Sequence, residues 1–177
     1  AICTGTVWTF TTGTTAYEAD RLLYLPLDTR DTAGALTADH AGPPYDDGTL
    51  VNAPPLVAGR IAEALSFDGV NQYISVPALN LNSSDATILA WVRRNGAQAN
   101  GAGIVYSRAG STVAGLHFGS ANELRYTWNS AVNTYTWNSA LVTPDGVWTL
   151  AAIVVSSNRA IAYMGTNTYL RAATNTV

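Results

Sequence analysis

Most of the chain alternates apolar and polar residues with a period of two, which is the pattern that predicts β-strands. The alternation is regular at residues 5–12, whereas residues 86–93 and 148–155 are apolar on both faces and are predicted to be central, covered strands. A weaker helical pattern at residues 56–65 is interrupted by Gly59, so a strand is favoured there. Further strands are predicted at residues 21–27, 64–67, 72–77, 104–107, 113–118, 123–128, 134–137 and 160–164.

Turn residues separate these segments at intervals of roughly 8–12 residues, which is typical of an antiparallel β-sandwich or barrel. The Asp-Gly turn at residues 68–69 predicts a tight hairpin between the segments 64–67 and 72–77. Trp91 and Trp148 lie on the strands that are apolar on both faces, so they are predicted to belong to the core.

The composition excludes several classes of partner. Only 12% of the residues are charged, and nine arginines without any lysine stand against twelve acidic residues, for a net charge of −3. Nucleic acids and anionic membranes normally require a dense basic patch, so neither is expected as a partner. The longest apolar run, residues 150–155, is far shorter than the roughly 20 residues of a spanning helix, so membrane insertion is not expected. The single cysteine, Cys3, rules out an intrachain disulfide.

The stretch at residues 64–77 (ALSFDGVNQYISVP) resembles the laminin-G-like, concanavalin A-like jelly-roll family. The resemblance extends to residues 86–92 (ATILAWV), 148–155 (WTLAAIVV) and 162–165 (AYMG), and it runs from about Leu22 to the C-terminus. It implies an all-β fold, an antiparallel two-sheet β-sandwich of the concanavalin A-like jelly-roll type.

The resemblance also implies a domain organisation and a cellular setting. Residues 17–177 correspond to the laminin-G-like sandwich, and residues 1–16 to a linker and the terminal strand or tail of a preceding immunoglobulin- or fibronectin-like domain. The family normally continues for two or three strands beyond the position of Val177, so the sandwich is expected to be C-terminally incomplete. Members are usually non-catalytic modules of large secreted or surface proteins. The expected location is therefore extracellular, with neighbouring domains or adjacent subunits as partners.

Catalysis by this chain is not expected. Retaining glycoside hydrolysis needs two carboxyl groups about 5–5.5 Å apart, which on one strand means acids at positions i and i+2 or i+4. Glu63 and Glu123 have no such neighbour, and the pair Glu18 and Asp20 lies outside the matched core. His117 is interpreted as a strand residue with a satisfied hydrogen bond. Any catalytic activity is expected in a neighbouring domain.

The hexapeptide YTWNSA occurs twice, at residues 126–131 and 135–140. If both copies are strands of one hairpin, four aromatic rings approach one another. Rings with flanking amides bind the apolar faces and hydroxyls of sugars. The alternative is that the rings only stabilise the sheet. The candidate ligand-binding residues are Tyr126, Trp128, Asn129, Tyr135, Trp137 and Asn138.

A calcium ion is a further expectation from the resemblance, because this family tends to place a calcium ligand at the position of Asp39. Asp39 lies in a Gly- and Pro-rich loop predicted at residues 28–55, and Asp68 is a second candidate ligand. Calcium prefers six to eight oxygen ligands, many of them backbone carbonyls. The alternative is that both carboxylates cap turns through backbone amides.

Three readings of function stay open at this point. The favoured one is a non-catalytic extracellular recognition module that binds a glycan or another cell-surface ligand. The alternatives are a purely structural or adhesive spacer of a surface or virion assembly, and a targeting module of a polysaccharide-degrading enzyme.

Overall fold

The computed structural model describes residues 21–79 and 83–176. The chain divides into two compact units, Ala1–Asn80 and Leu81–Val177. The described strands form open antiparallel sheets, which confirms the predicted all-β class and is consistent with a concanavalin A-like β-sandwich. The predicted strand at residues 5–12 lies outside the described residues.

Within residues 21–79, the first unit contains one four-stranded and one two-stranded sheet. The larger sheet has the strand order β1-β2-β3-β6, and β4 and β5 form the smaller one. A Cβ at Gly48 would lie 2.6 Å from the Ile74 side chain, so the close approach of Ile74 requires glycine on β3. The strands are β1 (Thr32–Ala33), β2 (Leu36–Thr37), β3 (Gly48–Val51), β4 (Leu56–Ala58), β5 (Glu63–Leu65) and β6 (Tyr73–Ser75).

The predicted hairpin across residues 68–69 is wrong, although the turn itself is present. β5 pairs with β4 and β6 pairs with β3, so the two segments that flank the turn do not pair with each other. The reason lies in the turn, where one carboxylate oxygen of Asp68 accepts the backbone N–H groups of Val70, Asn71 and Gln72. These bonds close a broad side-chain-capped turn in place of a two-residue hairpin.

Two further predictions for this unit are corrected. Residues 21–27 do not form a strand, because Pro26 lacks an N–H donor and Leu27 adopts a φ of 63°, which turns the chain. Residues 28–55 are not one long loop, since they contain β1, β2 and β3. At residues 56–65 the structure has two strands, as favoured over a helix.

The second unit has a four-stranded sheet with the order β13-β12-β11-β7 and a three-stranded sheet with the order β10-β9-β8. The two strands with the strongest apolar pattern in the sequence, β7 and β11, pair with each other over eight residues. The elements are β7 (Ala86–Arg93), β8 (Gly103–Ala109), β9 (Thr112–Phe118), β10 (Leu124–Thr127), the helical turn α1 (Val132–Tyr135), β11 (Trp148–Ser156), β12 (Arg159–Gly165) and β13 (Leu170–Thr176).

The core of the second unit is a single apolar cluster to which both sheets contribute. Burying one face of each sheet against the other is the arrangement that defines a β-sandwich. The buried members are Leu116, Phe118, Leu124, Tyr126, Leu141, Ala151, Ile153, Val155, Ala160, Ala162 and Met164.

The two tryptophans predicted for the core lie elsewhere. β7 is an edge strand of its sheet, and its outward face leaves Leu89 63% and Trp91 41% exposed. Trp148 is half-buried on the same outward face, with the Arg93 guanidinium 5.5 Å from its ring centroid. The prediction failed because apolar residues on both faces of a strand do not by themselves supply a second covering layer.

Two elements of this unit differ from the sequence prediction. Residues 134–137 are not a strand, since α1 and the turn that follows it occupy this part of the chain. β13 was not predicted, because Leu170–Thr176 has little apolar alternation and relies on its pairing with β12.

Candidate functional site

One face of the sheet formed by β8, β9 and β10 carries a compact group of aromatic and charged side chains. Leu116 and Phe118 of β9 point into the core, so His117 between them points to the opposite face. A register irregularity between Gly103 and Val105 turns Tyr106 of β8 to the face of His117. Sheet register also places Arg125 directly opposite His117.

Tyr106 lies across the sheet, resting on two glycines. A Cβ at Gly103 would lie 2.5 Å from its ring, and a Cβ at Gly115 would lie 2.7 Å from it. The ring stacks on His117 with centroids 5.7 Å apart, and its hydroxyl donates to the Gly101 carbonyl. The half-buried ring is therefore held in one orientation by contacts on several sides.

His117 is a buried, neutral support for this ring. Its Nδ1 lies 3.1 Å from the Phe118 carbonyl, which can only accept, so Nδ1 carries the proton and Nε2 faces the Thr127 hydroxyl at 3.3 Å. Burial lowers the pKa of His117, and the nearby Arg125 charge lowers it further, against the opposing effect of the Phe118 hydrogen bond. Both ring nitrogens have partners, as the sequence interpretation of a satisfied histidine expected.

Glu123 and Arg125 form a buried ion pair beside His117. The Arg125 Nε donates to the Glu123 carboxylate at 2.6 Å, and the second carboxylate oxygen accepts the Ala121 N–H at 2.9 Å. Burial raises the pKa of Glu123, but the hydrogen bonds and the Arg125 charge outweigh it and lower that pKa overall. Glu123 is therefore a fixed anion, unlike a general acid, whose pKa must lie near the working pH.

A Cβ at Gly119 would clash with the Glu123 carboxylate and the Arg125 guanidinium, so the ion pair also depends on a glycine. Together, these contacts give a restrained aromatic ring, the Tyr106 platform, bordered by arginines. Arg108 lies 5.5 Å from the centroid of the Tyr106 ring, and Arg125 retains 17% of its side-chain exposure. Such a surface can stack on an apolar ligand face and donate N–H groups to hydroxyls or carboxylates.

Tyr106 is not among the candidate residues that the sequence pattern indicated. A usable signal was present, because Gly103 and Gly115 interrupt otherwise apolar strands, and a glycine inside a strand often marks a close approach by another group. Their pairing with Tyr106 depends on the sheet register, which the sequence pattern does not reveal.

The aromatic repeat does not form a hairpin, because the second copy begins in α1 and only the first continues β10. Tyr126 is fully buried, its ring meets Trp137 edge-to-face with centroids 5.6 Å apart, and its hydroxyl accepts from Asn175. A side chain in this position cannot stack on a sugar. The predicted platform of four rings is therefore wrong.

The other predicted ligand residues are more accessible. Trp128 and Trp137 are half-buried and pack against the core, while Tyr135 is 43% exposed. Asn129 and Asn138 are exposed, and the Asn138 side chain accepts the Ala140 N–H at 2.8 Å. Ligand binding by these five residues stays a prediction.

A comparison with protein families identifies the relationship. Residues 68–175 match the model described as the concanavalin A-like lectin/glucanases superfamily. The chain belongs to this superfamily. Neither the curated proteins nor the solved structures contain a match to the chain. Membership of the superfamily fits a carbohydrate-binding or adhesive module, and its laminin-G-like domains are generally non-catalytic.

The position at which this superfamily was expected to bind calcium is occupied by a hydrogen-bonded turn. The buried Asp39 carboxylate accepts N–H groups from Tyr24, Ala41 and Asp46. Burial raises the pKa of Asp39, but these backbone donors outweigh it and lower the pKa overall. Backbone N–H groups are directed at both oxygens of the Asp39 carboxylate, which fits turn capping. A calcium ion would instead need these oxygens, with further oxygen atoms, as its ligands.

Asp68 has the same kind of environment. The Val70 N–H, with those of Asn71 and Gln72, lowers the pKa of its exposed carboxylate. Within residues 21–79 and 83–176, no group of three or more His, Cys, Asp or Glu side chains is arranged to hold a metal ion. Calcium binding through Asp39 or Asp68 stays a prediction.

Across the described residues, no helix has the length and apolar character needed to span a bilayer.

Proposed function

We propose that the chain is a non-catalytic carbohydrate-binding module of an extracellular protein and that the Tyr106 platform is its ligand site. The observation that carries the proposal is the Tyr106 ring held across Gly103 and Gly115. A sugar-binding ring must be fixed in advance and partly accessible, because ordering it on binding would reduce the affinity. The backbone anchor at Gly101 and the stacking on His117 supply that restraint.

Arginines near the ring supply directional donors for hydroxyls. Arg125 directs two of its nitrogens at Glu123, and a guanidinium has five N–H donors in total, so donors remain for a ligand. The Glu123 carboxylate neutralises Arg125, which favours neutral sugars over a strongly anionic ligand. The same ion pair argues against Glu123 as a general acid, since it lowers the pKa of that carboxyl group.

Affinity electrophoresis in gels containing neutral polysaccharides, followed by calorimetry on retained sugars, tests this function. Tyr106→Leu is expected to weaken binding about two- to tenfold, since an aromatic stacking contact contributes roughly 0.5–1.5 kcal/mol. Tyr106→Phe keeps the ring and should keep most of the affinity. Tyr135→Leu is the comparison variant, because Tyr135 is an exposed tyrosine of the same unit that lies in α1 and belongs to the alternative candidate site.

The outcomes separate the possible sites. Loss of binding in Tyr135→Leu but not in Tyr106→Leu would place the ligand at the aromatic repeat and contradict the Tyr106 platform. If the wild-type chain retains no polysaccharide, the carbohydrate proposal fails and the structural or adhesive spacer replaces it. Release of reducing ends from a retained polysaccharide would contradict the non-catalytic assignment.

A further inference from the structure

The Tyr106 ring has a defined direction on its sheet. It passes over Gly103, and its hydroxyl donates to the Gly101 carbonyl at 3.0 Å, so the ring points back towards the start of β8. From the Cβ end of the ring the strand continues the other way, to Arg108. The two ends of the ring therefore face different parts of the chain.

An exposed amide lies just beyond the hydroxyl end of the ring. The Ala102 N–H donates to the Ala99 carbonyl at 2.9 Å, which closes a β-turn. Gly101 in this turn has a φ of 82°, and Asn100 lies at the tip. Asn100 directly precedes the residue that holds the Tyr106 hydroxyl, and consecutive Cα atoms are about 3.8 Å apart. Its side chain is exposed, and within the described residues no hydrogen bond engages its amide.

A guanidinium group borders the Cβ end of the ring. Tyr106 and Arg108 are two residues apart on β8, so both side chains lie on the same face of the sheet. Arg108 is exposed, and no carboxylate in the described part of the chain forms an ion pair with it. A guanidinium beside a ring keeps its in-plane N–H groups for other acceptors. Polar groups of two strand residues and one turn thus form a row in the order Arg108, Tyr106 and Asn100.

We propose that this row binds an internal stretch of an extended chain of equatorially linked pyranoses. One sugar stacks on Tyr106, and the sugars on either side of it bind Arg108 and Asn100. This inference rests on the proposed function, because it assigns more of the same site. Equatorially linked pyranoses form straight ribbons with apolar C–H faces and hydroxyls along their edges. A ring flanked by two hydrogen-bonding groups matches such a ribbon, since the ring meets a face and the flanking groups meet the edges.

The same arrangement argues against recognition of a single terminal sugar. A site of that kind encloses most of its ligand and directs its polar groups at one sugar. Here Asn100 lies beyond the hydroxyl end of the Tyr106 ring, and Arg108 follows its Cβ end. One sugar stacked on the ring does not reach both, so the two groups are engaged together only by a longer chain.

Calorimetric titration of the full chain with cello-, manno- and xylo-oligosaccharides of one to six sugars tests the inference. In at least one series, wild type should bind the trisaccharide about tenfold more tightly than the monosaccharide, and the affinity should level off for longer chains. Asn100→Ala and Arg108→Ala should each weaken trisaccharide binding about two- to tenfold, because each removes a hydrogen bond to one sugar. The double variant should lose most of the length dependence.

Asn158→Ala and Arg159→Ala are the matched controls. Both residues are exposed and lie at the connection between β11 and β12, in the other sheet of the same unit. Neither substitution should change the affinity for the trisaccharide. Thermal unfolding of each variant checks that it is folded. A loss of binding in these controls equal to that in Asn100→Ala and Arg108→Ala contradicts the assignment.

The outcomes separate the inference from the proposed function. Equal affinities for one sugar and for six, with binding still weakened by Tyr106→Leu, overturn the inference and leave the Tyr106 platform in place. A length dependence that the Asn100→Ala and Arg108→Ala variants retain also overturns it. If no oligosaccharide of the three series binds, the inference fails, and retention in the polysaccharide gels then decides whether carbohydrate binding stands.

Discussion

The two copies of YTWNSA, at residues 126–131 and 135–140, have the same sequence and different structures. In the first copy Tyr126 is a strand residue, fully buried in the core. In the second copy Tyr135 ends a helical turn and is 43% exposed. Because the local propensities of the copies are identical, the difference arises from the residues around them.

The segments that precede the copies account for the difference. The first copy continues β10, whose residues pair with β9 from Leu124 onward. The second copy follows Thr134, whose hydroxyl donates to the Ala131 carbonyl and accepts the Trp128 N–H. This pair of hydrogen bonds closes a turn directly before Tyr135, so the backbone at Tyr135 is helical.

The two copies also pack against each other, and different positions of the hexapeptide are buried in each copy. Trp137 of the second copy meets the Tyr126 ring of the first, and Ser139 donates its hydroxyl to the Leu124 carbonyl. Ser130, which corresponds to Ser139, is exposed and accepts the Val113 N–H. Equivalent substitutions in the two copies should therefore have unequal effects.

The largest expected difference concerns the tyrosines. Tyr126→Ala should reduce the free energy of unfolding by about 3–5 kcal/mol, since it leaves a cavity in the core. Tyr135→Ala should change it by about 0.5 kcal/mol or less, as is typical of exposed positions. Urea unfolding followed by tryptophan fluorescence measures both. Similar losses in the two variants would show that Tyr135 is buried as well.

The serines should differ less. Ser139→Ala removes a buried hydroxyl that donates to the Leu124 carbonyl and accepts the Leu141 N–H, so a cost of about 1–3 kcal/mol is expected. Ser130→Ala should cost about 0.5 kcal/mol or less, because water can replace the exposed hydroxyl. The same urea titrations measure these values, and a larger loss in Ser130→Ala would reverse the assignment.

The smallest expected difference is in how substitutions of Thr127 and Thr136 change the pH dependence of stability. This pH dependence arises from the titration of His117. Burial first, then Arg125, lowers the pKa of His117 below its ordinary value, so the unfolded chain takes up a proton at higher pH than the folded one. The stabilising effect of neutral His117 is thus complete above about pH 6.5 and is lost as the pH falls through the lower, folded pKa. Thermal unfolding between about pH 7.5 and pH 5 should show this loss, and His117→Gln should remove its contribution.

Thr127 and Thr136 provide the matched test of that effect. The Thr127 hydroxyl faces Nε2 of the neutral His117, so Thr127→Val should raise the pKa of His117 and move the loss of stability to higher pH. The hydroxyl of Thr136 donates instead to the Val132 carbonyl within α1, so Thr136→Val should leave the pH dependence unchanged. An equal shift in both variants would mean that the Thr127 hydroxyl does not influence the pKa of His117.

Strands with a strong apolar signal were predictable from local sequence alone. Residues 86–93 coincide with β7, and residues 148–155 fall within β11. It was not predictable which faces of these strands are covered, since Trp91 and Trp148 lie on an outward face and not in the core. Whether an apolar face is covered depends on which elements meet it, and no local pattern encodes that.

The candidate site shows the same division. The acid spacing argued against a catalytic carboxyl pair, and the structure accounts for Glu123 as the partner of Arg125. The Tyr106 platform could not be predicted, because it depends on a register irregularity between Gly103 and Val105 and on residues from three strands.

The sequence by itself determined the all-β class, the most apolar strands and the net charge of −3, because these follow from composition and from a period of two along the chain. Only the tertiary structure decided the strand partners, the unlike fates of Tyr126 and Tyr135, and the restraint of Tyr106. The physical reason is that burial and strand pairing are made between residues far apart in the chain, and these contacts override the weak preferences of any six-residue segment.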